Sequence, residues 1–239
     1  MYELQVQRAH KALGLARQIV GVRFLVMQKE YEDCRAAEVD HTSICSMVRE
    51  AGNGMRVKAK ADNFQCMNAA YAVGLREIPA DVSTGREDYR NGRYESLAIV
   101  IGTAKDMMRV MQGYAKYYGV AKNVIAVANN GICNELIAKP FMNNDVNVSL
   151  LSTCARKSGE YGSGEMGISM PVHMLQSVLN GVLETVNHTE NNRPKKELLE
   201  RLEYPEELGF EIIMNYDYGT QASEYDKYCD ECERAVNRE

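Results

Sequence analysis

Tryptophan is absent from this 239-residue chain, and several larger sequence features are absent with it. No apolar run reaches about 18 residues, so no membrane-spanning helix is expected. The first ten residues lack the apolar core of a signal peptide, which predicts a chain that stays in the cytoplasm. The formal net charge of −5 excludes the broad basic surface of a general nucleic-acid binder.

Several catalytic signatures are also absent from the sequence. It contains no H-E-x-x-H zinc motif, no Walker phosphate-binding loop and no pattern typical of a catalytic triad. The 13 methionines and 14 tyrosines are abundant instead, and methionine at this level is typical of core filling. These motifs therefore predict no reaction, and whether the protein is an enzyme stays open.

Cysteine is the residue type whose placement is most informative. The chain has seven cysteines, and a reducing cytoplasm keeps such residues as thiols or metal ligands, not structural disulfides. Cys45 and Cys66 are 21 residues apart, and so are Cys133 and Cys154. A further C-x-x-C pair, Cys229 and Cys232, lies between acidic residues that disfavour a thiolate.

Hydrophobic periodicity predicts an α/β fold, a mixed sheet flanked by helices in a single domain over residues 1–220. Residues 28–40 are predicted to be a loop, and residues 221–239 a polar, acidic tail. The predicted strands cover 20–26, 55–61, 96–102, 123–129, 147–153, 166–170 and 210–214. The predicted helices cover 3–19, 42–52, 66–75, 104–118, 131–138 and 171–186.

The order helix, turn, strand, cysteine, helix occurs twice, at 42–75 and at 104–138. Cys66 and Cys133 occupy corresponding places in these two segments and are 67 residues apart. Residue identity between the segments is low. The pattern therefore raises the hypothesis of an internal duplication.

The predicted elements place the four evenly spaced cysteines where strands meet helices. Cys66 and Cys133 are expected at helix N-termini, where the helix dipole and free N–H groups favour a thiolate. Cys45 is expected in the first turn of its helix, and Cys154 just after a strand and beside Arg156. Four thiolates from separate elements can ligate zinc or an iron–sulfur cluster, although each cysteine can equally serve as a small buried apolar residue.

A glycine-rich segment, residues 156–167, is the other candidate for chemistry. Arg156 could clamp a carboxylate or phosphate, and the glycines allow backbone N–H groups to approach an anion closely. Glu165 could act as a general acid or base. A plain flexible loop is the simpler interpretation of the same residues.

Several segments of the chain form a recognisable set. They are Leu13–Leu15, Val20–Leu25, Cys45–Ala51 with Gly54, Cys66–Leu75, Gly131–Cys133, and Asn147–Arg156 with Glu165 and Pro171. These segments resemble the family of domain of unknown function 169 (DUF169), uncharacterised proteins common in anaerobic bacteria and archaea. The resemblance covers residues 10–185 and implies that the cysteine segments are the family's marked features, often in an anaerobic setting. It supplies no reaction.

Together these observations predict a cytoplasmic protein that binds a metal or an iron–sulfur cluster, of the 4Fe-4S type, through Cys45, Cys66, Cys133 and Cys154, with zinc as the alternative. Its expected work is electron transfer with a redox partner protein, or reductive chemistry on a small anionic molecule held near Arg156. No nucleic acid or membrane is expected as a partner, and a homo-oligomer stays open.

Two other functions remain open on the same residues. One is a metal-free thiol enzyme with Cys154 or Cys133 as nucleophile. The other is a non-catalytic module that binds or senses a small ligand, with mostly structural cysteines.

Overall fold

The computed structural model describes residues 9–11, 13–25, 27–66, 97–122, 124, 126 and 131–185. Its strands are β1 (Val20–Val22), β2 (Ala37–Glu38), β3 (Val57–Lys58), β4 (Leu97–Gly102), β5 (Asn147–Ser149) and β6 (Met166–Pro171). Its α-helices are α1 (Gln28–Asp33), α2 (Ile44–Gly52), α3 (Ala104–Tyr118), α4 (Lys139–Asn143), α5 (Thr153–Gly159) and α6 (Leu175–Thr185). A π-helix, Ile132–Ala138, leads into α4, and two 3₁₀ turns cover Ala61–Asn63 and Val172–Met174.

The main sheet has four strands in the order β1-β4-β6-β5, and every neighbouring pair in it is antiparallel. Strands β2 and β3 form a separate parallel pair. The predicted α/β class is confirmed. Parallel and antiparallel pairing both occur, but in two different sheets.

The central strand β4 separates two apolar cores. Its Leu97, Ile99 and Ile101 enter a cysteine-side core, which is built on Ile44, Val48, Ile132 and Leu136 and contains Cys45 and Cys133. Its Ala98 and Val100 enter a helix-side core that contains residues of α3 and α6. This double burial explains why the strand is an unbroken apolar run and why it was predicted correctly.

On the helix side of the sheet, α3 and α6 pack at a pair of glycines. A Cβ atom added at Gly181 would lie 2.2 Å from the carbonyl oxygen of Gly113, and one added at Gly113 would lie 2.3 Å from that of Val178. The two helix backbones are therefore in direct contact. Helix α3 begins at a cap in which the Thr103 hydroxyl accepts from Asp106 N, and it spans the predicted residues.

Two predictions in the first 40 residues need correction. Residues 28–40 are not all loop, because α1 and β2 form there. Helix α1 is stabilised by side-chain pairs one turn apart, with Lys29 Nζ 2.9 Å from Asp33 Oδ2 and Gln28 Nε2 2.8 Å from Glu32 Oε1. The helix predicted over 3–19, which the structure describes at residues 9–11 and 13, ends at Leu13, because Gly14 has a φ of 63° and its N–H bonds to His10 O.

The prediction was also wrong around Cys133 and Cys154. The strand predicted over 147–153 ends at Ser149, because Leu151 has a φ of 61° and cannot continue it. Helix α5 follows directly and was not predicted. The helix predicted to end before Pro140 continues through it as α4. Proline has no N–H to donate to the preceding turn, and the Glu135 carbonyl in that turn accepts from Asn147 Nδ2 at 2.7 Å.

Several predictions lie outside the described residues. They are the helix beyond Cys66, the strand at 123–129 except for residues 124 and 126, the strand at 210–214 and the tail at 221–239. The proposed half-repeats at 42–75 and 104–138 are therefore described only in part, and their bounds stay a prediction.

Candidate thiol site

Three of the four predicted cysteines have the same local position. Cys45, Cys133 and Cys154 are each the second residue of a helix, in α2, the π-helix and α5 respectively. Cys66 follows the 3₁₀ turn that ends at Asn63 and packs against the cysteine-side core. The sequence predicted this for Cys45 and Cys133, whereas for Cys154 the helix was unexpected.

The helices that carry Cys45 and Cys154 each begin at a serine cap. Ser43 Oγ accepts from Ser46 N at 3.1 Å at the start of α2. Ser152 Oγ accepts from Ala155 N at 3.2 Å at the start of α5. Side-chain caps of this kind satisfy N–H groups that have no partner within the helix, so each cap fixes where the first turn begins.

The π-helix that carries Cys133 begins at Gly131, whose φ is 52° and ψ −131°. This conformation is essentially restricted to glycine. A Cβ atom at Gly131 would lie 2.6 Å from Ser152 Oγ and 3.1 Å from Ala155 Cβ. The segments that carry Cys133 and Cys154 are therefore in close contact at this glycine.

The four cysteines differ in exposure. Cys45 is 8% exposed and Cys133 5%, while Cys66 is half-buried and Cys154 is exposed. The thiols therefore extend from the interior of the cysteine-side core to the protein surface.

The four thiols are close enough for their charges to interact. Burial raises the pKa of Cys45 to about 12, and the charges of Cys154 and Cys66 raise it further. Burial likewise raises the pKa of Cys133 to about 12, with contributions from Cys45 and Cys66. Cys45 therefore interacts with the other three thiols, and the fold gathers cysteines that lie up to 109 positions apart in the sequence.

Backbone N–H groups at the start of the π-helix oppose these shifts. The N–H of Ile132 contacts Cys45 and lowers its pKa, and the N–H groups of Cys133 and Asn134 lower the pKa of Cys133. Burial is nevertheless the largest cause for both thiols. The N–H groups at this helix start favour the thiolate of Cys133, as the sequence predicted, but burial has the larger effect and the pKa of Cys133 is raised overall.

Within the described ranges, no three or more His, Cys, Asp or Glu side chains are arranged so that they could hold a metal ion. The thiols are neighbours, but their side chains are not in ligand geometry in this structure. Soft sulfur donors are still the donor type that zinc and iron–sulfur clusters take. The donor chemistry therefore fits, and ligation would require the side chains to reorient.

Arg156 lies beside Cys154, but its guanidinium is engaged by the backbone. Its Nη2 donates to Leu150 O at 2.8 Å and to Glu165 O at 3.0 Å, and its Nη1 donates to Gly162 O. These bonds connect α5 to the turn before it and to the glycine-rich loop after it. The predicted role in anion binding stays a prediction, and the contacts seen here are structural.

Glu165 is paired with an arginine that the sequence did not indicate. Arg17 Nε lies 2.6 Å from Glu165 Oε1, and Arg17 Nη2 lies 3.2 Å from Glu165 Oε2. Hydrogen bonds from Arg17 and from Gly162 N lower the pKa of Glu165 against the opposing effect of burial. Glu165 is therefore held as a carboxylate that closes the loop.

Tyr161 connects this ion pair to the thiols and was also missed from the sequence. Its hydroxyl donates to Cys45 O at 3.2 Å, and the Arg17 guanidinium lies 5.2 Å from its ring centroid. A Cβ atom at Gly159 would lie 2.2 Å from the Tyr161 ring, so this glycine admits the ring. A tyrosine three residues before a Gly-Glu pair gave no signal that would have identified it.

Of the other cysteines, Cys34 is half-buried after α1, and Cys229 and Cys232 lie outside the described residues. No α-helix in the described part of the chain has the length and apolar character required to cross a membrane.

Comparison with known proteins found one family. The DUF169 family, described as Uncharacterised ArCR, matches residues 10–100 and again residues 96–181. Two separate matches to one family suggest a repeat and agree with the internal duplication hypothesised from the sequence. No curated protein and no solved structure matches this chain.

Proposed function

The chain belongs to the DUF169 family, and we propose that it is a cytoplasmic metalloprotein whose Cys45, Cys66, Cys133 and Cys154 bind one shared group. An iron–sulfur cluster of the 4Fe-4S type is the first candidate, and a single zinc ion is the alternative. The observation that carries the proposal is that the fold brings these cysteines together from distant parts of the sequence: Cys45 and Cys133 lie in one core, Cys66 packs against that core, and Cys154 is near enough to Cys45 for its charge to act on it.

Metal binding has to overcome the cost of ionising the two buried thiols. Cys45 and Cys133 are costly to ionise in the metal-free protein, as their raised pKa values indicate. The positive charge of a bound cation would offset that cost, and each coordinating thiol would lose its proton. The N–H groups at the start of the π-helix would donate to the sulfurs, and such donors would tune the potential of a cluster.

The difference in exposure among the thiols suggests which side of the site a redox partner or a small anion would reach. When bound, a cluster would supply one-electron transfer, so that a redox partner protein loses the electron that a small anionic molecule gains. Cys45 and Cys133 would hold the inner side of the group away from water, since both are buried. Cys154 is exposed, so its side of the site is where a partner or an anion would approach.

In this proposal Arg156 and Glu165 act by holding the protein around the thiols. Arg156 fixes α5 through three backbone carbonyls, and Glu165 fixes the following loop through Arg17 and Gly162 N. Any direct contact of Arg156 with an anion would require it to exchange one of these carbonyls for the ligand.

Thermal unfolding with and without a chelator tests whether a metal is bound. A group present at about 1,000 times its dissociation constant stabilises the folded state by about 4 kcal/mol. For a chain of this size that corresponds to a fall in Tm of about 8–16 °C on chelation. Cys45→Ala should abolish this fall in Tm. Cys34 is not one of the four proposed ligands, so Cys34→Ala should show the same fall as the wild-type protein. An equal Tm before and after chelation of the wild-type protein would count against metal binding.

A metal-free thiol enzyme is the second candidate, and one observation favours a particular nucleophile for it. Cys154 is exposed in the first turn of α5, whereas Cys133 is buried. Alkylation of the native chain with iodoacetamide, in which the sulfur–carbon bond forms and iodide leaves, should then be fast at Cys154 alone. Comparable rates at several cysteines would argue against this candidate.

A further inference from the structure

A buried glutamate, Glu135, lies two residues after Cys133 and is not one of the proposed ligands. It is only 2% exposed, and a carboxylate so deep in a core requires polar partners. Ser149 Oγ donates to Glu135 Oε2, and Asn147 Nδ2 donates to the backbone carbonyl of Glu135 at 2.7 Å. The π-helix is thereby joined to strand β5 at two points.

Ser149 continues this connection into the turn that precedes Cys154. The same Ser149 Oγ accepts from Leu151 N at 3.0 Å. Leu151 has a φ of 61°, a left-handed conformation that a bulky residue adopts only when its surroundings impose it. Ser152 comes next and caps α5. The Glu135 carboxylate, the Ser149 hydroxyl and the Leu151 N–H thus form a continuous chain from one cysteine segment to the other.

We propose that Glu135 is a positioning residue that, through Ser149, fixes the turn at 150–152 and so sets the place of Cys154 relative to Cys133. The inference rests on the proposed function, because it concerns the same thiols. Glu135 acts through the backbone and needs no contact with a bound metal. Removing the Ser149 link would release the turn, and a site that takes sulfurs from both segments would lose its geometry.

Ser149→Ala tests this link, because it removes only one hydroxyl. Tyr117→Phe is the matched control. Tyr117 also donates a hydroxyl to a buried glutamate, at 2.6 Å to Glu184 Oε1, but it lies on α3, whose buried residues belong to the helix-side core. Each variant therefore loses one hydrogen bond from a hydroxyl to a glutamate side chain. The bond lost in Ser149→Ala lies between the two cysteine segments, whereas the bond lost in Tyr117→Phe lies on the helix side of the sheet.

The first readout is the alkylation rate of Cys133 in the native full-length chain, measured with iodoacetamide and peptide mass spectrometry. We expect Ser149→Ala to raise this rate about tenfold or more, because releasing the turn would uncover Cys133, which is buried in the same core as Leu151 and Ala155. Tyr117→Phe should leave the rate unchanged. An unchanged rate in Ser149→Ala, or a rise of the same size in Tyr117→Phe, would overturn the proposal.

Two variants of Glu135 itself complete the test. Glu135→Gln keeps an oxygen that can accept from Ser149, so its Cys133 rate should stay near wild type. Glu135→Ala should repeat the rise, and adding Ser149→Ala to it should change little, because both substitutions break one connection. A Gln variant as reactive as Ser149→Ala, or fully additive effects, would contradict the role given to Glu135.

The second readout uses Co²⁺ as the probe, followed by thiolate-to-cobalt absorption. Ser149→Ala should weaken Co²⁺ binding about tenfold or more, while Tyr117→Phe should bind as wild type does. Equal affinities in the two variants would overturn the positioning role. A wild-type chain that binds no Co²⁺ would instead count against the proposed metal site, and the alkylation rates would still decide the role of Glu135.

Discussion

The metal-free protein should lose stability in alkali, and Cys45 should account for a defined part of the loss. Burial raises the pKa of the Cys45 thiol from 9.0 to about 12, which corresponds to about 4 kcal/mol of cost for ionising it in the folded state. An unfolded thiol loses its proton near pH 9. Between these two values the unfolded state therefore binds fewer protons than the folded state, and the free energy of unfolding falls as pH rises.

The size of the effect follows from the two pKa values. Stability from Cys45 is fully present below about pH 8 and falls by up to about 1.4 kcal/mol per pH unit above pH 9. Between pH 9 and 11 the loss amounts to about 2 kcal/mol. Cys133 should contribute a similar loss, because burial raises its pKa to about 12 as well.

Urea unfolding followed by circular dichroism, at several pH values from 8 to 11 with chelator and reductant, measures this dependence. Cys45→Ala should lose about 2 kcal/mol less stability than wild type between pH 9 and 11. Its absolute stability at pH 8 can also change, but this does not affect the slope. Cys34→Ala, outside the thiol set, should follow the wild-type slope.

Parallel slopes for wild type and Cys45→Ala would refute this reasoning, because they would mean that Cys45 ionises alike in the folded and unfolded states. A bound metal should invert the dependence. Its affinity should rise with pH until the ligand thiols are deprotonated, since each must lose its proton to bind.

Three further predictions follow from single contacts. Gly181→Ala should destabilise the protein by about 1–3 kcal/mol, because its Cβ would meet Gly113 O at 2.2 Å. Gly164→Ala, where nothing lies within 4 Å of the added Cβ, is the control. Equal stabilities of the two variants in urea unfolding would contradict the contact between the two helices. Arg156→Ala should lower stability by about 2 kcal/mol through its lost bonds to backbone carbonyls; an unchanged stability with lost anion binding would show instead that its role is in ligand recognition. Gly131→Ala should weaken Co²⁺ binding, because Gly131 has a positive φ and an added Cβ would meet Ser152, the cap of α5. Wild-type affinity for Co²⁺ in this variant would contradict the close contact between the segments that carry Cys133 and Cys154.

The parts of the fold that the sequence predicted are those determined by local patterns. Strand β4 is an unbroken apolar run because it is buried on both faces. Helix α3 has a local capping box, formed by Thr103 and Asp106, and ends at Gly119. In each case residues near in sequence satisfy the backbone and mark the bounds, so the bounds could be predicted without knowledge of the remaining chain.

The parts that the sequence did not predict depend on distant residues. Leu151 adopts its left-handed conformation where Ser149, Glu135 and Arg156 converge on the turn, and no pattern in the turn indicates this. The polar sequence of α5 carries little helical signal, so Cys154 was expected outside a helix. Glu135 lies within an apolar segment, and a lone charge there was the available hint of a buried polar contact.

For the candidate thiol site, the features that depend on local sequence were predicted, and those that depend on long-range packing were not. The equal intervals between the cysteines drew attention to them, and the helical positions of Cys45 and Cys133 were predicted from local patterns, whereas that of Cys154 was not. Their ionisation did not, because the pKa of Cys133 depends on how deeply the sheet and α2 bury it. Local N–H donors favour the thiolate, but desolvation from long-range packing is the larger effect.

Metal analysis and visible absorption of the full chain, purified without oxygen, test the central claim most directly. We expect a coloured protein with about four irons per chain, or a colourless one with about one zinc. In either case Cys45→Ala should lose the metal and Cys34→Ala should keep it. A folded wild-type protein that contains no metal, and takes up neither iron with sulfide nor zinc when these are supplied, would contradict the account.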